Sequence, residues 1–200
     1  MDWSLLHALN DFLAQHDAVE DPLLFYVNAS EALFVATLAI VFLAARGSRL
    51  AAWRRAAVAA VLSAGLALAV AKVISELVDR ARPFVADPGG VHLFSGHAAD
   101  PGFPSDHATA AFAIAVAILL RKRSWGYVAL LAAAVLSIGR VALGVHYPSD
   151  VLAGAAVGSA AALVLWTPPL RSRVDRLADW TGGYWDRAVE RGARLLPSRQ

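Results

Sequence analysis

Six residues at the edges of very apolar stretches, Arg82, Ser105, His107, Arg140, His146 and Asp150, are the types that phosphoryl chemistry needs. Charged side chains beside hydrocarbon are expensive and rare, so several at apolar edges mark a working site. The arginines present planar forks matched to phosphate oxygens. Ser105 and Asp106 stand where a helix would start, and free N–H groups there suit an anion. Two imidazoles allow one to attack and the other to protonate the departing oxygen near neutral pH. The Asp150 carboxylate would fix the tautomer of the attacking ring. No cluster of carboxylates suggests a metal, so arginine and helix N–H groups would stabilise the developing charge, and no cofactor is expected.

These residues lie in three knots: Arg80-Ala81-Arg82-Pro83-Phe84, Phe103-Pro104-Ser105-Asp106-His107, and Ile138–Gly154 (IGRVALGVHYPSDVLAG). Apolar helices must bring them together. Of the 200 residues, 58% are hydrophobic and 17% charged, and the mean hydropathy of +0.53 is too high for an ordinary soluble domain. Zero cysteines exclude a disulfide framework or a thiolate metal site. The start, MDWSLLHALNDF, lacks a basic n-region, so no removable signal peptide is expected.

The expected fold is an all-α polytopic membrane helix bundle. Residues 3–17 read as an amphipathic interfacial helix, with Trp3, Leu5, Leu6, Leu9, Phe12 and Leu13 at helical spacing. About five spans follow, over roughly 23–45, 56–78, 107–120, 127–145 and 149–166, the third marginal in length unless Ser105 and Asp106 start it. The connection at 84–103 is long and rich in Pro, Gly and His, as functional loops often are. From Thr167 onward Arg171, Arg173, Arg176, Arg187, Arg191, Arg194 and Arg199 alternate with Leu, Trp and Tyr. This tail reads as a basic amphipathic helix on an anionic membrane surface, disordered toward Gln200. The division is therefore a membrane domain over 1–166 and a tail over 167–200.

Arg46, Arg49, Arg54 and Arg55 follow the first span, Arg121, Lys122 and Arg123 the third, and the basic tail the fifth. The positive-inside rule then puts the N-terminus outside, the tail in the cytoplasm and all three knots on the external face. Trp53, Trp125 and Trp166 fall at the cytoplasmic ends, as an aromatic belt would. The arginine runs are topology signals, not nucleic-acid patches.

Arg82-Pro83, Pro104-Ser105-Asp106-His107 and Arg140-x3-Gly144-x-His146-x3-Asp150 resemble the three signature motifs of the PAP2 (type 2 phosphatidic acid phosphatase) superfamily. Asp106 within the second motif, with RPF and GVHYPSDVLAG, is similar to its bacterial undecaprenyl-diphosphatase branch. The similarity covers residues 72–154. The resemblance implies that His146 forms a phosphohistidine, that Asp150 orients it, and that His107 is the acid for the leaving group. It implies that Arg82, Ser105 and Arg140 grip the phosphoryl group without a metal cofactor.

Three positions depart from the pattern. Ser75 stands where the first motif usually has lysine, and Lys72, one turn earlier, is the candidate to reach the site instead. Asp106 replaces the commoner glycine, shaping substrate choice or capping a helix. Gly139 replaces a serine. Arg80 is read as a phosphate or lipid contact, available as a second clamp.

Plainer readings stand beside these. Lys72 and Glu76, four apart, can simply neutralise each other; Asn28 and Glu31 read as polar groups satisfied inside the bundle. His7, His16, His92 and His97 show no partner pattern and read as surface residues. The implied function is hydrolysis of a lipid phosphate or diphosphate in a bacterial-type plasma membrane, with undecaprenyl diphosphate as leading substrate. The rivals are a broad lipid phosphatase and a non-catalytic lipid-phosphate carrier, the latter having no use for two histidines.

Overall fold

The structure, a computed structural model, describes residues 2–47 and 50–194. Arg49, Arg199 and the disorder expected toward Gln200 lie outside the described residues. The chain is all-α: α1 (Asp2–Ala14), α2 (Asp17–Ala44), α3 (Ala51–Val78), α4 (Pro83–Ala86), α5 (Asp106–Leu119), α6 (Arg123–Ala142), α7 (Pro148–Trp166) and α8 (Pro168–Arg194). Among the described residues, α2, α3, α6 and α7 are long and apolar enough to cross a membrane. They turn large apolar side chains such as Phe25, Val35, Leu131 and Leu152 outward, as lipid-facing helices do.

The third expected span is α5, whose 14 residues reach about 21 Å at ~1.5 Å per residue, short of a hydrocarbon core. It is the bundle's central helix, packed by α3, α6 and α7. Seven of its residues are buried, nearly all of them small, so it is enclosed by protein and need not match the bilayer's thickness. Small residues let its backbone come close to α7. A Cβ added to Gly154 would lie 2.6 Å from the Ser105 carbonyl oxygen, and one on Gly158 would lie 2.2 Å from that of Thr109. Gly158→Val must therefore push the two helices apart, and it is expected to cost about 2 kcal/mol. Thermal unfolding in detergent should show a lower midpoint; an unchanged midpoint would mean that this contact is not tight.

Two left-handed residues end the helices that lead into the site. Asp79, at φ 42°, closes α3, and Gly144, at φ 78°, follows α6. A Cβ at Gly144 would also meet the His92 carbonyl at 2.7 Å. α1 lays Leu6, Asn10 and Leu13 against the bundle and leaves Trp3, Leu5 and Phe12 exposed. It is thus half docked rather than only interfacial. Asn10 joins α1 to the rest, donating to the carbonyls of His92 and Ala142 and accepting from the His92 N–H, each at 2.8 Å.

At the opposite end α8 folds back on the bundle. Arg54 forks onto Asp186 at 2.8 and 2.7 Å, Arg55 pairs with Asp179 and Arg121 with Asp175. The tail is therefore not simply basic: its carboxylates face the arginine-rich connections, with Val174 and Ala178 buried between them. Leu177, Trp180 and Tyr184 stay exposed on another face. Trp53 and Trp125 meet edge-on at this same end.

Candidate active site

Arg82 leads into α4, Arg140 sits in the last turn of α6, and His146 lies in the turn before α7. All three are buried, at 6%, 5% and 2% exposure. Arg82 Nη1 is 3.1 Å from His146 Nε2, and Arg140 Nη2 is 3.5 Å from the same nitrogen. Knots some 60 residues apart thus meet at one imidazole edge.

The hydrogen bonds determine which ring nitrogen can attack. His146 Nδ1 lies 2.9 Å from the Gly102 carbonyl, which can only accept, so Nδ1 carries the proton. Guanidinium can only donate, so Nε2 offers its lone pair to Arg82. Burial first, then the Arg140 and Arg82 charges, holds the His146 imidazole well below its usual pKa. It is a neutral base with an unprotonated Nε2 facing two cations.

Asp150 is fully buried, its Oδ2 3.7 Å from His146 Nδ1. Its closer contacts are the Tyr147 N–H at 2.8 Å and Arg80 Nη1 at 2.7 Å. The carbonyl of Gly102 therefore does most directly what the sequence assigns to the carboxylate. Asp150 holds the turn that carries His146. Arg80 spans Asp150, Ser149 and Asp2, lies 4.0 Å over the Tyr147 ring, and is a brace of that turn rather than an open clamp.

His107, in the first turn of α5, puts Nε2 3.2 Å from Glu31 Oε1 of α2 and lies within electrostatic reach of Arg140, His146 and Arg82. Glu31 thus has a specific partner in the site. Ser105 is fully buried as the α5 N-cap, its hydroxyl 3.5 Å from the Ala108 N–H. Asp106 begins that helix, near the fields of Arg82, Arg140 and Lys72. Lys72 itself is exposed, paired at 3.4 Å with Glu76.

Three participants had no signal in the sequence beyond the length of their loop. His97 Nε2 accepts from Arg140 Nη2 at 2.8 Å, so His97 is not a plain surface residue. Asp100 takes Arg82 Nε on its carbonyl at 3.1 Å and its carboxylate at 3.0 Å. Gly102 supplies the carbonyl to His146. Arg140 Nε is buried without a hydrogen-bond partner among the described residues. An orphaned donor on a guanidinium that also approaches Nε2 is what an anionic oxygen would satisfy.

Residues 56–173 match the PAP2 superfamily. YbjG of Escherichia coli K12 is 38% identical over 128 residues, 60% of this chain and 64% of that protein. Undecaprenyl-diphosphatase BcrC of Bacillus subtilis is 42% identical over 96 residues, 46% of this chain and 49% of that one. The alignments thus span less than two thirds of either relative. The crystal structure of Aquifex aeolicus LpxE shares the fold, with a TM-score of 0.69 at 20% identity over 82% of this chain and 93% of that one.

Proposed function

The chain belongs to the PAP2 superfamily, and on that premise we propose that it is a membrane lipid diphosphatase converting undecaprenyl diphosphate to undecaprenyl phosphate and phosphate. The observation that carries this reading is the approach of Arg82 and Arg140 to the unprotonated Nε2 of His146. The B. subtilis relative named as an undecaprenyl-diphosphatase supports the choice of substrate.

In the proposed reaction the terminal phosphoryl oxygens take over the guanidinium N–H bonds now directed at Nε2 and also accept from the orphaned Arg140 Nε. His146 Nε2 then forms a bond to the terminal phosphorus as the bridging P–O bond breaks. Undecaprenyl phosphate leaves, with His107 as the proton source. Water next attacks the phosphohistidine, His107 accepts its proton, and inorganic phosphate departs. The guanidiniums and the α5 N-terminus stabilise charge on the transferring group, the role a divalent ion plays in many phosphoryl transfers.

The protein is a multi-pass membrane protein. We place the site on the external face, with the N-terminus outside and α8 cytoplasmic, because the arginine-rich connections and α8 share the end opposite to it. The lipid tail would then remain among the helices while the head group enters from the outer leaflet. The outer face of α8, with Leu177, Trp180 and Tyr184 exposed, suits contact with membrane lipids.

Phosphate release by the purified protein in detergent tests the reading. Undecaprenyl diphosphate should be hydrolysed faster than phosphatidic acid, at a rate unchanged by excess EDTA. Equal rates on both lipids would remove the prenyl preference, and loss of activity in EDTA would overturn the metal-independent route.

A further inference from the structure

One short segment of the loop between α4 and α5 touches all three buried residues of the site. His97 meets Arg140, Asp100 meets Arg82, and the Gly102 carbonyl meets His146. Gly102 is itself tied down: its N–H donates to the Arg80 carbonyl at 2.8 Å, and a Cβ there would lie 3.0 Å from Arg82 Cγ. Asp100 and Gly102 act on groups held elsewhere as well, Arg82 by the Val145 carbonyl and His146 by its own turn. Arg140 differs. Beyond the long contact to His146, its hydrogen bond among the described residues is the one to His97, and its Nε has none.

We propose that His97 is a positioning residue whose Nε2 accepts from Arg140 Nη2 and thereby aims the Arg140 guanidinium at the phosphoryl group to be bound beside His146. The inference rests on the phosphatase reading only for what the anion is. An arginine side chain has four rotatable bonds, so a buried guanidinium without a fixed acceptor would spread over several rotamers. An acceptor on one Nη leaves the remaining donors in a fixed plane.

His97 is suited to accept. Its Nδ1 faces the Ala98 carbonyl at 3.1 Å, so that nitrogen carries the proton and Nε2 is free of one. Burial first, with the Arg82 and Arg140 charges, lowers its pKa against the Ala98 hydrogen bond and the Asp100 carboxylate, and so favours the neutral ring. The groups around it are those two guanidiniums, Asp100, the imidazoles of His107 and His146, and the Phe84 ring at 6.3 Å. Unlike a carboxylate, a neutral imidazole can hold Arg140 without cancelling the charge that the substrate needs.

The test compares His97→Ala and His97→Gln, since glutamine offers an uncharged acceptor. Binding of inorganic orthovanadate, followed by tryptophan fluorescence of the full-length protein in detergent, reads the anion site without any lipid assay. KM and kcat for undecaprenyl diphosphate read it during turnover. His97→Ala is expected to raise the vanadate Kd and the KM about tenfold and to lower kcat as well, because Arg140 also stabilises charge on the transferring group. His97→Gln should restore both to within about threefold. A smaller folded fraction would lower kcat alone, so the shift in KM and Kd separates positioning from mere destabilisation.

In an Arg140→Ala background, His97→Ala should add nothing to the vanadate Kd. Unchanged Kd and KM in His97→Ala, a glutamine variant as weak as the alanine one, or a full tenfold effect without Arg140 would each overturn the proposal. If wild type binds vanadate but hydrolyses no lipid phosphate, the phosphatase reading fails while the Kd comparison still decides the role of His97.

Discussion

Replacing His146 with alanine is expected to reduce phosphate release from undecaprenyl diphosphate by about 10⁴-fold or more, the scale on which nucleophile removal acts. The expectation follows from atoms rather than from the residue type. Nδ1–H donates to the Gly102 carbonyl, so Nε2 holds the lone pair, and Arg82 and Arg140 approach that nitrogen and no other on the ring. The variant keeps both guanidiniums, so binding of undecaprenyl diphosphate should remain measurable. Stability should fall only modestly, by about 1–3 kcal/mol for a carbonyl left without its donor. Activity within tenfold of wild type would exclude His146 as the nucleophile.

The second large effect is on folding. Arg80→Ala removes the cation from Asp150, which is fully buried and whose other hydrogen bond comes from one backbone N–H. A buried charge stripped of its partner costs about 3 kcal/mol or more. Arg80 also covers Tyr147 and meets Asp2 of α1 at 3.1 Å, so α1 should loosen as well. Thermal unfolding in detergent should show a clearly lower midpoint. Adding Asp150→Asn to Arg80→Ala should recover part of the loss, because an amide oxygen can still accept from the Tyr147 N–H. A single variant as stable as wild type would show that Arg80 is not the brace of the His146 turn.

The spacing of apolar runs made the helices legible, because lipid imposes length and composition on whatever crosses it. It said less about α5, which is enclosed by protein and so escapes that constraint. The residues on regular elements, Arg140, His107 and Asp150, could be located from the sequence, since each sits within a turn of a helix end. Arg80 was legible as a charge near the site but not as a partner of Asp150, because that pairing crosses some 70 residues and depends on Asp79 ending α3 in the left-handed region. His97, Asp100 and Gly102 were invisible for a related reason. Loop residues have no period, and their contacts are set by where the surrounding helices end. The acidic face of α8 was masked by its more numerous arginines, and only the packing against Arg54, Arg55 and Arg121 separates the two.

The account turns on a covalent bond between phosphorus and one nitrogen. Undecaprenyl diphosphate labelled with ³²P in its terminal phosphate, mixed with the protein and quenched within milliseconds in alkali, tests this directly. The label should be found on the peptide containing His146, stable in base and lost in acid, and absent from the His146→Ala protein. Turnover that leaves no protein-bound label, or a label on a residue other than His146, would contradict it.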